Sequence, residues 1–169
     1  MSAFVALDFE TADNGRDSAC SIGLVRVENN KIARSEHYLI RPPRQTFLFT
    51  YLHGISWSDV SGAPTFKELW PTLSDFFRGA QFLAAHNASF DKSVMNACCA
   101  QAGVKPPEQP FQCTVKLARN VLNIRPANLA HVCHHLSIKL NHHNALSDAQ
   151  ACAQIMITAL EHQAEKAVY

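Results

Sequence analysis

The segment Phe4–Thr11 reads Phe-Val-Ala-Leu-Asp-Phe-Glu-Thr, and it decides the fold of this chain. Five of its first six residues are apolar and none is glycine or proline, which is typical of a buried strand. Because side chains alternate across a strand, Asp8 and Glu10 leave the same face, about 6.6–6.8 Å apart along it. Burying two like charges side by side is costly unless a cation neutralises them. A lone Asp-x-Glu is more often a solvated strand end, so a metal-site hypothesis needs further acids elsewhere in the chain.

Length and composition bound the possibilities. The chain has 169 residues, 47% of them hydrophobic and 17% charged, which fits one globular domain over residues 1–169. The formal net charge is only +1, so no global basic field attracts nucleic acid. A nucleic-acid partner would have to be held by a local patch and by metal ions.

Two further features predict the cellular environment. There is no basic segment followed by an apolar one at the N-terminus and no apolar run of membrane-spanning length, so we expect a soluble, cytoplasmic protein without a membrane partner. The six cysteines form no C-x-x-C pair, and Cys98 and Cys99 are adjacent. Reduced, mostly buried thiols are therefore expected.

The order of elements predicts a mixed α/β sheet. Ala19–Glu28 and Lys31–Ile40 read as two strands joined by an Asn-Asn turn, so the first three strands should form an antiparallel meander. Helical segments alternate with short strands after that. Gln81–Ala85 and Phe111–Thr114 are the expected fourth and fifth strands. Ser89 is the expected N-cap of the helix after the fourth strand, and Asn144 could cap the last helix.

The connecting segment 44–63 is rich in aromatic and apolar side chains, including Phe47, Phe49 and Trp57. They could cover the core as a short helix and loop, or present stacking faces to bases. Core cover is the favoured interpretation for most of them.

Two more acids follow predicted strand or loop ends. Asp91 ends the run His86-Asn87-Ala88-Ser89-Phe90-Asp91, and Asp148 lies early in the last helix, five residues after His143. Polar side chains at the C-terminal ends of strands gather at sites in open α/β sheets. Taken singly, each acid is more typical of a helix-dipole or solvated-face residue.

Together, however, Asp8-x-Glu10, His-Asn-Ala-x-Phe-Asp91 and His143-x-Ala-x-x-Asp148 resemble the three motifs of the DEDDh family of 3′→5′ exonucleases. This family comprises exonucleases that are similar to the proofreading epsilon subunit of bacterial DNA polymerase III. The resemblance covers most of the chain. It implies a single exonuclease domain with a ribonuclease-H-like fold, in which helices flank a central five-stranded mixed sheet.

The resemblance also implies a catalytic role for each motif residue. Asp8, Glu10, Asp91 and Asp148 would hold two Mg²⁺ or Mn²⁺ ions, with Asp8 shared between them. His143 would be the general base, a role suited to histidine because its ordinary pKa is about 6.5.

The substrate is less well defined than the reaction. Thr11 and Asn87 are candidates for contacting the terminal nucleotide, and His53 is either near the site or a loop-packing residue. Single-stranded DNA is the first choice, and an oligoribonuclease-like or RNase-T-like activity on RNA 3′ ends is the alternative. Ala12-Asp13 departs from the Gly or Thr that often follows the first motif, which makes the grip on the terminal base less defined. The chain ends about twenty residues after Asp148, without a polymerase-binding tail, so a free-standing nuclease is expected.

Two rival interpretations stay open at this point. Cys133-His134-His135 with His142-His143 could form a zinc site, although the spacing fits no standard finger and a histidine-rich helix end is preferred. An inactive nucleic-acid-binding module is the other, and the intact acids argue against it. We expect His142 to point away from His143, because consecutive side chains in an extended loop diverge.

Overall fold

A computed structural model describes residues 3–167 of the chain. Within them lie five strands and seven helices. The strands are β1 (Ala3–Thr11), β2 (Ala19–Glu28), β3 (Lys31–Leu39), β4 (Phe82–Ala85) and β5 (Phe111–Cys113). The helices are α1 (Thr50–His53), α2 (Trp57–Val60), α3 (Phe66–Phe77), α4 (Ala88–Ala102), α5 (Thr114–Asn120), α6 (Leu129–His135) and α7 (Ala145–Lys166). None of the helices within residues 3–167 is long and apolar enough to cross a membrane.

The predicted mixed α/β sheet is confirmed. Its strand order is β3-β2-β1-β4-β5, so β1 lies in the middle. β1 pairs antiparallel with β2, which pairs antiparallel with β3. β1 pairs parallel with β4, and β4 pairs parallel with β5. Because β1, β4 and β5 run in the same direction, their C-terminal ends meet at one edge of the sheet, where a site is expected.

The alternation of β1 assigns its two faces to two separate cores. Val5, Leu7 and Phe9 are buried on the face that packs with apolar residues of α3 and α4. Phe4 and Ala6 pack on the opposite face against α7. Asp8 and Glu10 continue this second row past the apolar core. The two carboxylates therefore leave the sheet on the α7 side, at the open end of β1.

The aromatic connecting segment lies partly over the core and partly along a cavity. Phe47, Ile55 and Trp57 pack against a small buried cluster of Ala12, Cys20 and Val60, which is the predicted core cover. Phe49 and Leu52 instead line a cavity at the C-terminal edge of the sheet.

Candidate active site

The first turn of α7 lies directly against the sheet beside Asp8. Asp8 pairs with Gly23 on β2, and a Cβ atom built on Gly23 would lie 2.1 Å from the Ala145 carbonyl oxygen. Only glycine allows this approach, because the obstructing atoms belong to the backbone. Asn144 caps the helix as expected, since its side chain accepts a hydrogen bond from the Ser147 N–H at 3.0 Å. The approach brings Asp148, which is 4% exposed, next to the two acids of β1.

Asp91 comes to the site from α4, which begins immediately after β4. The structure places the N-cap of this helix at Asn87, in a left-handed conformation with φ 73°, so the Ser89 assignment was wrong. Asparagine tolerates this backbone region, which lets the chain turn sharply out of the strand. Asp91 is 1% exposed, and its Oδ1 accepts a hydrogen bond from the Phe9 N–H at 3.1 Å. This bond ties α4 to β1 beyond the last β1–β4 pair.

Three carboxylates converge closely. One oxygen each of Asp8, Glu10 and Asp148 lies within 4.8 Å of the others. Asp91 is not part of that tight group, but its charge helps to raise the pKa of Asp8. The structure thus brings all four predicted acids close enough for the charges of the other three to raise the pKa of Asp8.

Burial and mutual repulsion shift the titration of these acids upward. Burial, followed by the charges of Asp148 and Asp91, raises the pKa of Glu10 to about 8. Burial and the same neighbours raise the pKa of Asp8 well above its usual range. The pKa values of Asp91 and Asp148 are raised mainly by burial, with hydrogen bonds to each opposing the shift. Each shift has the sign expected for buried carboxyl groups close to other carboxylates.

The donor set suits a hard divalent cation. The converging atoms are all carboxylate oxygens, the ligands that Mg²⁺ and Mn²⁺ prefer. Oδ1 of Asp148 is buried and has no hydrogen-bond partner among residues 3–167. A buried, partnerless carboxylate oxygen is costly unless a ligand completes it.

The structure corrects the expectation for His142. Its ring does not point away: it stacks on the ring of His143, with centroids 3.9 Å apart and an interplanar angle of 16°. The physical reason is that His143 has φ 64°, in the left-handed region, and the alternation of an extended chain is lost there. His142 Nδ1 also donates a hydrogen bond to Asp148 Oδ2 at 3.0 Å.

Two other histidines at the site have structural partners for both ring nitrogens. His53 Nδ1 accepts from the Ile55 N–H at 3.0 Å, and its Nε2 donates to the Thr11 carbonyl at 3.1 Å. His86 lies between the Thr114 hydroxyl and the Ala127 carbonyl, at 2.9 and 3.0 Å. Burial lowers the pKa of His86 to about 4, which keeps it neutral. The run His86–Asp91 predicted that His86 lies near the site. It did not predict the hydrogen bond to the Ala127 carbonyl, because Ala127 is distant in sequence.

A cavity of about 710 Å³ contains the site. Both proposed nucleotide contacts, Thr11 and Asn87, line it. So do His142, His143 and three of the acids, namely Asp8, Glu10 and Asp148. The rest of the wall is largely apolar, with one guanidinium. These residues are Phe9, Phe49, Leu52, His53, His86, Phe90, Val115, Arg119, Ala127, Asn128 and Leu129.

Asp13, the departure from the family pattern, does not line this cavity. Its carboxylate receives two hydrogen bonds from Arg44, at 2.9 and 3.0 Å, and Arg44 also binds Asp17. The Arg44 hydrogen bond is the main reason that the pKa of Asp13 is lowered. Asp13 therefore fastens the loop after β1 to the segment that leads into α1.

The zinc site considered for Cys133, His134, His135, His142 and His143 together is not formed, because these residues do not come together in one group of potential ligands. Among residues 3–167, none of Cys133, His134 and His135 belongs to a group of three potential metal ligands. Cys133 is buried in an apolar cluster, and the two histidines are exposed at the end of α6. The His142–His143 pair converges on Asp148 instead.

Known proteins resemble this chain along most of its length. A family model described as Exonuclease, RNase_T, matches residues 5–156. The chain is 34% identical over 164 residues to the PolC-type DNA polymerase III of Caldanaerobacter subterraneus subsp. tengcongensis, a match that covers 94% of this chain and 12% of that polymerase. It is 29% identical over 166 residues to the DNA polymerase III epsilon subunit of Aquifex aeolicus, covering 94% of this chain and 80% of that subunit.

A solved structure supports the fold. The nuclease domain of 3′hExo, described as a DEDDh family member and bound to rAMP, superposes with a TM-score of 0.80. The match covers 95% of this chain and 92% of that one at 19% sequence identity. At this identity the likeness concerns architecture, and it confirms the expected ribonuclease-H-like fold.

Proposed function

This chain belongs to the exonuclease family whose model matches residues 5–156, and on that basis we propose that it removes nucleotides from the 3′ end of single-stranded DNA. The products would be nucleoside 5′-monophosphates. The observation that carries the proposal is the convergence of the Asp8, Glu10 and Asp148 oxygens within 4.8 Å, on the wall of a cavity large enough for a nucleotide. The residues 1–169 would act as one exonuclease domain.

We propose that Asp8, Glu10, Asp91 and Asp148 hold two divalent ions, Mg²⁺ or Mn²⁺. The raised pKa values of these acids and the partnerless Asp148 Oδ1 support this assignment. When bound, such ions would neutralise the carboxylates and stabilise the negative charge that develops on the phosphate.

We propose His143 as the general base. A ring nitrogen would accept the proton of the water whose oxygen attacks the phosphorus, while the 3′ oxygen of the preceding nucleotide leaves. Two observations support this role. His143 lines the same cavity as Asp8, Glu10 and Asp148, and its backbone N–H donates to Asp148 Oδ2 at 3.1 Å, which fastens the loop to that carboxylate.

The substrate assignment rests on the chemistry of the walls and on the relatives. Thr11 and Asn87 offer polar contacts to the terminal nucleotide, and the apolar wall suits the faces of bases. The relatives named above are DNA polymerase components, which favours DNA. RNA is the alternative, since the similarly folded 3′hExo domain was solved with rAMP.

The decisive experiment compares substrates side by side. Single-stranded DNA, duplex DNA and RNA of one sequence, each labelled at the 5′ end, are incubated with Mg²⁺ or Mn²⁺. We expect single-stranded DNA to give a ladder that shortens one nucleotide at a time, and EDTA to stop it. If RNA were degraded faster than single-stranded DNA, the substrate assignment would change to RNA, and the proposed exonuclease reaction would still hold.

Two further substrates test the polarity. A 3′-terminal phosphate should block degradation if the site accepts a free 3′-hydroxyl. Cleavage of circular single-stranded DNA would show an endonuclease, and the proposed reaction would fail.

The same assay decides against an inactive binding module. Asp8→Asn removes one carboxylate charge with little change in shape, so DNA should still bind while turnover is abolished. Near wild-type turnover by this variant would contradict the metal assignment.

A further inference from the structure

The two oxygens of Asp148 have different surroundings. Oδ2 accepts two hydrogen bonds, from His142 Nδ1 at 3.0 Å and from the His143 N–H at 3.1 Å. Oδ1 is buried and has no partner within residues 3–167. A carboxylate held twice through one oxygen cannot rotate freely about its Cβ–Cγ bond. The other oxygen is therefore kept in a fixed direction.

His142 also contacts the second predicted functional group of this loop. Its ring lies against the ring of His143, with centroids 3.9 Å apart and planes 16° from parallel. The side chain of His142 is 43% exposed, so it fills no core space. One imidazole thus touches both the Asp148 carboxylate and the His143 ring, from the solvent side.

We propose that His142 is a positioning residue with two separable contacts. Its Nδ1–H orients Asp148 so that Oδ1 is free for a cation, and its ring face holds the imidazole of His143 in place. This inference rests on the proposed function only for the role of His143. The Asp148 part concerns cation binding and can be measured without any substrate. Partners that orient a ligand in this way are typically worth about 10–100-fold in metal affinity or activity.

Substitutions at His142 can separate the two contacts. In asparagine, Nδ2 occupies the branch position that Nδ1 has in histidine, so His142→Asn keeps the donor and loses the ring. His142→Phe keeps a flat ring and loses the donor. His142→Ala loses both. His134→Phe is the matched control, because His134 is an exposed histidine at the end of α6, outside the cavity.

The first measurement is Mn²⁺ binding by calorimetry, with the metal alone as the probe. We expect His142→Asn to stay within about threefold of wild type. His142→Phe and His142→Ala should bind Mn²⁺ about tenfold more weakly. Unchanged affinity in all three variants, or equal loss in Asn and Phe, would overturn the Asp148 part of the proposal.

The second measurement is kcat at saturating Mn²⁺. Here the order should reverse: His142→Phe should stay close to wild type, and His142→Asn and His142→Ala should fall about two- to tenfold, the range of ring–ring contacts. If kcat did not depend on whether residue 142 keeps an aromatic ring, the proposal that His142 holds the His143 ring in place would be overturned. If all three variants lost a hundredfold or more in kcat with unchanged Mn²⁺ affinity, His142 itself would be the base.

Two controls keep this test separate from other failures. Thermal unfolding of each variant reports misfolding, which the substitutions should not cause because the His142 side chain is 43% exposed and belongs to no buried apolar cluster within residues 3–167. An absence of nuclease activity in the wild-type protein would refute the proposed function, while the Mn²⁺ series would still decide the role of His142 toward Asp148.

Discussion

At the scale of single residues, the loop before α7 carries two neighbouring histidines with different proposed roles. His143 is the proposed base, and His142 orients its neighbours. A purely sequence-based view would treat the pair as one active and one solvated residue. The stacked geometry instead predicts that substitutions at His142 and at His143 both lower activity. Substitution of His143 should remove the proposed base, and substitution of His142 should disturb the orientation of Asp148 and His143.

Replacing His143 should affect chemistry rather than binding. We expect His143→Ala to fold, to bind Mn²⁺ and DNA, and to lose about 10²–10⁴ in kcat, since loss of a general base typically has this effect. Single-turnover kinetics at saturating DNA measures it. His134→Ala is the control and should match wild type. If His143→Ala kept more than a tenth of the wild-type kcat, the base would have to be sought elsewhere.

At the scale of elements, the contact between β2 and α7 sets the position of Asp148. We expect Gly23→Ala to push the start of α7 off the sheet, because the new Cβ would lie 2.1 Å from the Ala145 oxygen and 2.5 Å from the Leu146 nitrogen. Overpacking of this kind costs about 1–3 kcal/mol. Calorimetry should show a lower melting temperature and weaker Mn²⁺ binding.

Gly62→Ala is the matched control for this element-level prediction. A Cβ atom built on Gly62 would meet nothing within 4 Å, and the residue has no positive φ. Its replacement should leave both melting temperature and Mn²⁺ affinity unchanged. If Gly23→Ala and Gly62→Ala had the same melting temperature and Mn²⁺ affinity, the close contact between β2 and α7 would not be needed to position Asp148.

The helix α1 contributes Leu52 to the apolar wall of the cavity, and we expect this side chain to contact bases. Leu52 is 44% exposed and lines the cavity, whereas Ile32 on β3 is also 44% exposed but does not line it. We expect Leu52→Ala to raise KM for single-stranded DNA about fivefold, from lost apolar contact, with little change in kcat. Ile32→Ala should leave KM unchanged. Steady-state kinetics compares the two, and equal KM values would exclude α1 from the DNA path.

At the scale of the whole molecule, the acids of the site link stability to pH. The Glu10 carboxyl has a pKa of about 8 in the fold against an ordinary 4.5. Between these values the unfolded chain releases a proton that the folded protein retains, so folding is increasingly disfavoured as pH rises. The raised pKa values of Asp8, Asp91 and Asp148 act with the same sign.

The melting temperature of the metal-free protein should therefore fall from pH 5 to pH 8. Mg²⁺ should raise it most at pH 8, where more of the carboxylates have lost their protons than at pH 5. Glu10→Gln should flatten the metal-free pH dependence, because it removes one titrating group. Differential scanning fluorimetry in EDTA and in Mg²⁺ measures all three. A metal-free melting temperature that rises over this range would contradict the pKa shifts.

Much of this molecule follows from local sequence patterns. The alternation in β1, the Asn-Asn turn after β2 and the Asn144 cap each depend on a few neighbouring residues, and all were predictable. Two features were not. The N-cap at Asn87 and the stacking of the His142 ring on His143 both depend on left-handed backbone conformations, which tertiary contacts select. The bracing of His86 by Ala127 joins residues too distant in sequence for any local pattern to reveal.

The alternation of β1 has a consequence for how this protein can change. One face of the strand packs against α3 and α4, while the other carries Asp8 and Glu10. Substitutions at Val5 or Leu7 alter packing without touching the carboxylates. Thermal stability can therefore change during evolution through substitutions on the packed face, while the carboxylates of the proposed active site stay the same. An engineer who seeks a more stable enzyme should start with Val5 and Leu7, which lie on the packed face and do not line the cavity.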